Sequence, residues 1–278
     1  MSRDTPLLAT EGLTVTYGGL RANSNISLEV RPGQIVGLIG PNGAGKTTFI
    51  DAITGFTPYT GTVRLAGRAI DGMSAHRRAR MGLSRTWQSL ELFTDLTALE
   101  NLLVATRRLT FKSVLADLVR PKRSRDETNE QWALGLVGLG HRSERLPKEL
   151  SLGQEKLLGV ARALGTRPKV VLLDEPAAGL DPEESDALGA RFHDIVDHGI
   201  SILLIDHDMN LVLKVCDYIY VLEFGQLIAA GTPAEVREND DVIAAYLGNE
   251  ARRAKDEAHA LVGDDLGADV TRVPEASS

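Results

Sequence analysis

Residues 34–55 read QIVGLIGPNGAGKTTFIDAITG: an apolar strand-like run, a glycine-rich turn and a helical pattern in immediate succession. Within it, Gly40-Pro41-Asn42-Gly43-Ala44-Gly45-Lys46-Thr47 fits GxxxxGK[ST], and a strand before and a helix after are the context in which that pattern cradles phosphates. Glycines tolerate positive φ and let backbone N–H groups close around an anion. The helix that follows turns the positive end of its dipole toward the same point. Lys46 is placed to hold β- and γ-phosphates, and the Thr47 hydroxyl to ligate Mg²⁺.

The rest of the chain supplies a frame for such a loop. Alternation in Leu13, Val15 and Tyr17 and in Ile26, Leu28 and Val30 predicts two strands over residues 7–31, each with one covered face. GTVRLAG adds a third, and a further strand is expected over residues 83–88, ending in Gln88. From Thr97 the period becomes helical, with Leu99, Leu102, Leu103 and Thr106 on one side, and stays so to about Leu139. The Arg- and Lys-rich stretch 107–125 reads as a solvated helical face and loop. A helix opening near Ser151 carries Leu157, Leu158, Val160, Ala161 and Leu164 on its apolar side. KVVLLDE, a helix over about 183–197, SILLIDH and a helix from Met209 follow, then a hairpin in YIYVLEFGQLIAAGT and two short helices to Gly248. Strands alternating with helices imply a parallel sheet wound with right-handed crossovers, hence an α/β fold. Residues 251–278 are charged or small with little periodicity, and are expected to form a disordered tail.

Composition narrows the function classes. With 43% hydrophobic and 25% charged residues in 278, the chain has the material for a packed core. A net charge of −7 argues against a general nucleic-acid binder. One cysteine, Cys216, excludes an internal disulfide and a multi-cysteine metal site; its place in the apolar stretch 211–216 predicts a buried structural thiol. No run approaches the roughly 18 apolar residues of a spanning helix, and the N-terminus lacks a secretory apolar segment. The expectation is a cytoplasmic protein that reaches a membrane only through a partner.

Two more motifs carry chemistry. Asp174 and Glu175 close the run VVLL, which puts carboxylates at the carboxyl end of a buried parallel strand, where α/β sheets bind ligands. Asp174 would help hold Mg²⁺ through its water shell, and Glu175 would polarise the attacking water as general base. Leu150-Ser151-Leu152-Gly153-Gln154 opens a helix. Ser151 suits a plain N-cap, yet a hydroxyl, a glycine N–H and a helix N-terminus also suit an anion.

In this order the motifs resemble those of ATP-binding-cassette ATPases, over about residues 7–248. The resemblance implies a P-loop NTPase (RecA-like) core with an antiparallel β subdomain and an inserted α-helical signature subdomain at about 89–154, the whole ATPase domain spanning 7–250. It implies ATP and Mg²⁺ as cofactors, Tyr17 as the aromatic stacked on adenine, and Gly40 to Thr48, Thr48 included, as the phosphate cradle. Gln88 would sense Mg²⁺ and the γ-phosphate, His207 would be the switch histidine, and Asp181 would communicate across a dimer. Ser151, Gly153 and Gln154 would reach the nucleotide of a second ATPase subunit, the same chain or another, packed head to tail. Leu152 stands where the family's LSGGQ signature has glycine. Further implied partners are integral-membrane permease subunits, reached near residues 89–102, and indirectly a solute-binding protein, with no nucleic acid. Ser84-Arg85-Thr86-Trp87-Gln88 and the run 92–102, Tyr17-Gly18-Gly19-Leu20 and the ending 231–248 resemble the ATPases of branched-chain amino-acid importers. Urea and amide importers share much of this pattern, and lipopolysaccharide exporters part of it.

Overall fold

The computed structural model describes residues 5–87, 91–106 and 128–246. Among the described residues, ten strands form two sheets. The smaller is antiparallel, in the order β2-β1-β4-β5, from β1 (Leu8–Tyr17), β2 (Leu20–Val30), β4 (Thr60–Leu65) and β5 (Arg68–Ala69). The larger has the order β10-β9-β3-β8-β7-β6, from β3 (Ile35–Ile39), β6 (Leu83–Arg85), β7 (Val170–Asp174), β8 (Ser201–Ile205), β9 (Tyr218–Glu223) and β10 (Gln226–Gly231). Its strands run parallel except β10, which turns back against β9 as the terminal hairpin expected from the sequence. The α/β expectation therefore holds, with a mixed rather than purely parallel sheet. The strand expected to end in Gln88 stops at Arg85, with a last backbone bond from the Thr86 N–H to the Leu172 carbonyl of β7 at 2.8 Å. Gln88 itself lies outside the described residues, as do the basic stretch through residue 127 and the tail.

Strands β3, β7 and β8 are buried at every position, as parallel strands covered on both faces must be. Their side chains divide by the two-residue period. Ile35, Ile39, Val171, Leu173, Ile202 and Leu204 enter one core; Val36, Leu38, Val170, Leu172, Leu203 and Ile205 enter the other. The second core is closed by α1 (Lys46–Thr54) and the small antiparallel sheet, with Phe49, Ile50 and Ile53 fully buried. Each such side chain contributes roughly 1.5–3 kcal/mol through burial. The first core is closed by α3 (Ala98–Thr106), α4 (Asn129–Leu136), α5 (Leu152–Leu164), α6 (Pro182–Asp197) and α7 (Met209–Val215). Cys216 is buried there, as expected, and burial pushes its thiol pKa up. The described residues also include short helices α2 (Ala75–Arg80) and α8 (Pro233–Arg237), with residues 240–246 helical beyond them. The buried Arg78 of α2 ends α1: its guanidinium donates to the Ala52 and Ile53 carbonyls at 3.0 and 2.8 Å, groups a helix C-terminus leaves unpaired.

Candidate active site

Strands β3, β8 and β7 are neighbours and run the same way, so their carboxyl ends line one edge. The glycine-rich loop leaves β3, Asp206 and His207 leave β8, and Asp174 and Glu175 leave β7. One strand therefore separates the phosphate loop from the acidic pair. This is the crevice in which open α/β sheets hold ligands.

The loop is held open from below. Gly45 sits at φ +100°, and the Asn23 side-chain amide donates to its carbonyl at 3.1 Å. The Ala44 N–H donates to the Pro41 carbonyl at 3.1 Å, and the Gly225 N–H of the β9–β10 turn donates to the Ala44 carbonyl at 2.9 Å. Gly45 is also the N-cap of α1 and gives it no side-chain cap, which leaves the first N–H groups of that helix directed at the crevice. Ala44 and Lys46 are buried, while Asn42, Gly43 and Thr47 are exposed and Pro41, Gly45 and Thr48 half-buried. The Lys46 ammonium folds back on the loop, donating to the Gly40 and Pro41 carbonyls at 2.7 and 3.0 Å. Burial lowers its pKa, against the opposing pull of Glu175, Asp174 and Asp206. That opposition places the ammonium in the field of all three carboxylates.

Asp174 is buried, and burial raises its pKa; the Arg85 guanidinium, with Nη2 at 3.4 Å from Oδ2, acts against this. Its backbone N–H donates to the Thr86 hydroxyl at 3.0 Å. Glu175 has φ +47°, unusual for a residue with a side chain, and such a conformation costs about 1–3 kcal/mol. Its N–H donates to the Ile205 carbonyl at 2.7 Å, which ties this turn to β8. Asp206 is fully buried; its carboxylate accepts from the Ala177 and Asp208 N–H groups at 3.1 and 3.0 Å, while burial raises its pKa. His207 is more than half exposed, with Nδ1 4.0 Å from Glu175 Oε2 and 3.7 Å from Asp206 Oδ1.

The fold thus gathers Gly40 to Thr48, Asp174, Glu175 and His207. The remaining expected residues stand elsewhere. Ser151 accepts from the Gln154 N–H at 3.3 Å, and Gln154 Oε1 accepts from the Ser151 N–H at 3.1 Å. This is a complete capping box on α5, with Ser151 and Leu152 exposed and Gly153 half-buried behind them. Asp181 caps α6 through the Glu184 N–H at 2.8 Å, with Pro182 in the first turn. Both helix starts face outward. Tyr17 is half exposed at the end of β1, its hydroxyl 3.3 Å from Thr57 Oγ1.

Three residues went unread in the sequence: Arg85, Asp206 and Asn23. Arg85 and Asp206 lie within quoted motifs, but spacing does not disclose that a guanidinium turns inward or that a strand-end carboxylate is fully enclosed. Asn23 is 22 residues from the Gly45 carbonyl it holds, and only the pairing of two sheets brings it there.

The donor set fits a magnesium–nucleotide complex. Thr47 presents an exposed hydroxyl beside Lys46, and Asp174 closes the other side of the crevice. Among the described residues no three His, Cys, Asp or Glu side chains converge into a metal cage, which suits an ion that takes most of its ligands from phosphate and water.

Comparison with known proteins agrees with this geometry. The family described as ABC transporter matches residues 23–178, and that described as branched-chain amino acid ATP-binding cassette transporter matches residues 226–252. The high-affinity branched-chain amino acid transport ATP-binding protein BraF of Pseudomonas aeruginosa is 45% identical over 255 residues, covering 89% of this chain and 99% of the relative. Its Escherichia coli counterpart LivG is 42% identical over 250 residues, covering 87% and 98%. The lipopolysaccharide export system ATP-binding protein LptB of Haemophilus influenzae is 33% identical over 245 residues, covering 88% and 98%. Among solved structures, the ADP conformation of an ATP-binding cassette of an ABC transporter superposes with a TM-score of 0.77 at 30% identity, covering 88% of this chain and 99% of that one. A nucleotide-free cassette gives 0.76 at 30% identity, covering 87% and 99%.

Proposed function

Because this chain belongs to the ABC transporter ATPase family, we propose that it is the ATP-hydrolysing subunit of an importer for branched-chain amino acids. The observation that carries the reading is the convergence of Lys46, Asp174, Glu175 and His207 on one crevice below an open glycine loop. The amino-acid cargo rests on the relatives' identity and on the C-terminal match over residues 226–252. At 33% identity, the lipopolysaccharide-export relative supports the engine rather than the cargo.

Each residue has a task. The backbone amides of Gly43 to Thr47 bind phosphate oxygens, and Lys46 exchanges its two carbonyl partners for them. Tyr17 supports the adenine ring. Thr47, Asp174 and Gln88 would hold the magnesium ion, Asp174 by way of the ion's water shell. When bound, the magnesium ion neutralises charge on the β- and γ-phosphates. Glu175 accepts the proton of the attacking water, and its place in a turn pinned to β8 limits its wandering. His207 holds the γ-phosphate side of the crevice near Glu175. Ser151, Gly153, Gln154 and Asp181 serve a second cassette, homologous or identical, arranged head to tail; their outward-facing helix starts are free to do so. The helices over about 89–154 form a subdomain inserted in the core, and permease subunits seat on its edge beside Gln88.

No helix among the described residues is long and apolar enough to cross a membrane; the relatives' role as transport ATP-binding proteins supports placing the chain at the inner membrane face through those permeases. Shifting a dimer from mostly open to mostly closed takes about 5.5 kcal/mol. Two or three charge-assisted contacts to a γ-phosphate, at roughly 1.5–3 kcal/mol each, are enough. The test is Glu175→Gln, co-expressed with its neighbouring subunits. It should bind ATP, stall hydrolysis and accumulate closed dimers on a permease complex that takes up leucine when wild type. Absence of ATP-bound dimers would refute the closure scheme, and a wild-type complex that ignores leucine would refute the cargo.

A further inference from the structure

The guanidinium of Arg85 joins three parts of the molecule that the site description leaves separate. It ends strand β6, and its side chain is only 7% exposed. Nη1 makes a short ion pair with Asp51 Oδ1 at 2.6 Å, on the helix that follows the phosphate loop. Nη2 makes a longer one with Asp174 Oδ2 at 3.4 Å. The plane lies against the Trp87 ring, 4.3 Å from its centroid. Trp87 in turn meets Phe56 edge to face at 5.3 Å, and both rings are about half exposed. Trp87 shares a cavity with Thr86, Asp174 and Glu175.

We propose that Arg85 is a positioning residue for Asp174, clamping its carboxylate to the phosphate-loop helix through Asp51 and reporting its occupancy to Trp87. The asymmetry of the two ion pairs carries the proposal. An Arg holding two carboxylates equally would be a structural brace. Here the short bond anchors the guanidinium to Asp51, and the long one restrains Asp174 while leaving its oxygens able to take a further partner. An aromatic plate on the open face fixes the orientation of the fork, which a flexible point charge could not reproduce. When Asp174 takes up its ion, the guanidinium shifts toward Asp51 and its stacking on Trp87 changes. This rests on the reading of Asp174 as a magnesium-binding group.

The test uses the full chain carrying Trp132→Phe, which leaves Trp87 as its one tryptophan. Two quantities are read without turnover: the emission of Trp87, and the half-saturating Mg²⁺ concentration for binding of ADP. In the parent, Trp87 emission should respond to Mg²⁺ with ADP but not to ADP in a chelator. Arg85→Met should abolish that response and raise half-saturating Mg²⁺ about tenfold, the usual cost of losing a residue that orients a ligand, while chelator-measured ADP affinity stays within about twofold. Arg85→Lys should recover less than half of the Mg²⁺ dependence. Asp51→Asn, which removes the anchor without touching Asp174, should also weaken Mg²⁺ dependence, and it serves if Arg85→Met folds poorly. An unchanged Mg²⁺ dependence in Arg85→Met or Asp51→Asn, or a parent Trp87 blind to Mg²⁺ with ADP, overturns the proposal. If Asp174→Asn also binds ADP with unaltered Mg²⁺ dependence, the assignment of Asp174 itself is what has failed.

Discussion

Two glycines of the phosphate loop should respond oppositely to the same substitution. Gly43 has φ +81° and Gly45 φ +100°, so an alanine at either enters a backbone region it disfavours, at about 1–2 kcal/mol. There the likeness ends. A Cβ at Gly43 meets nothing within 4 Å, whereas one at Gly45 meets the Ala22 carbonyl oxygen and the Asn23 amide nitrogen, each at 2.6 Å. The Gly45 substitution must therefore push β2 aside, for about 1–3 kcal/mol of overpacking. It also breaks the Asn23 bond to the Gly45 carbonyl, worth about 1 kcal/mol. The expected totals are about 1–2 kcal/mol for Gly43→Ala and roughly 3–6 kcal/mol for Gly45→Ala.

Function should divide the other way. On the proposed reading, phosphate oxygens approach the loop amides from the empty side of Gly43, so the new methyl would stand in the ligand's place rather than the protein's. Urea midpoints at unchanged m-value read the stability term, and titration with ATP in Mg²⁺ reads the other. Gly43→Ala should keep most of its stability yet lose at least about tenfold in affinity, which is about 1.4 kcal/mol. Equal destabilisation by the two alanines, or a Gly43→Ala chain that binds ATP as well as wild type, would refute the placement of the nucleotide on the exposed side of the loop.

Other outcomes follow from the same contacts. Ser151→Asp preserves an N-cap acceptor for the Gln154 N–H but adds a negative charge where a second cassette's phosphate should arrive; the urea midpoint should hold while ATPase activity collapses. Ser151→Ala should instead lose about 1 kcal/mol of stability through the missing cap. Cys216 is buried and its thiol is pushed up, so thiol reagents should label it only in denaturant; rapid labelling of the native chain would contradict its packing. Burial raises the folded pKa of Asp206, so its neutral carboxyl contributes stability that is fully present below the unfolded value of about 3.9 and is lost as pH rises through the folded one. The stability gap between wild type and Asp206→Asn should accordingly narrow as pH rises above about 4; a widening gap would contradict the burial.

Much of the fold was legible in the sequence because three signals were local. The glycine loop fixes its own flanking strand and helix, the apolar runs VVLL and ILLI announce strands covered on both faces, and Ser151 marks the start of α5 as its N-cap. What was not legible depends on where a strand stops and what it meets. The run from Leu83 reads as a strand to Gln88, yet pairing with β7 ends at Arg85, whose guanidinium is enclosed between Asp51 and Asp174. The strand periodicity of Ile202 to Ile205 gives no hint that the next carboxylate is enclosed by the Ala177 and Asp208 amides. Local pattern names the loop and the acidic pair; the charges that set their balance arrive from strands far away in sequence.

That balance bears on how nucleotide and metal must arrive. The crevice holds Asp174, Glu175 and Asp206 against Lys46, with Arg85 already committed in part to Asp51. Formal charge there is negative before any ligand enters, so on the proposed reading a bare triphosphate would gain Lys46 and the loop amides but enter the field of three carboxylates, Asp206 acting from within the fold. A divalent ion carried on the phosphates would reverse the sign of that encounter, because it would set positive charge in the field of those carboxylates. Nucleotide and metal should therefore bind with positive coupling, and linkage requires that each tighten the other by the same factor. The coupling should shrink in Asp174→Asn, where one of the carboxylates that favours the ion is gone, and bare-nucleotide affinity should rise in the same variant because repulsion falls. A variant that lost both affinities together would mean that Asp174 holds the loop in shape rather than balancing its charge.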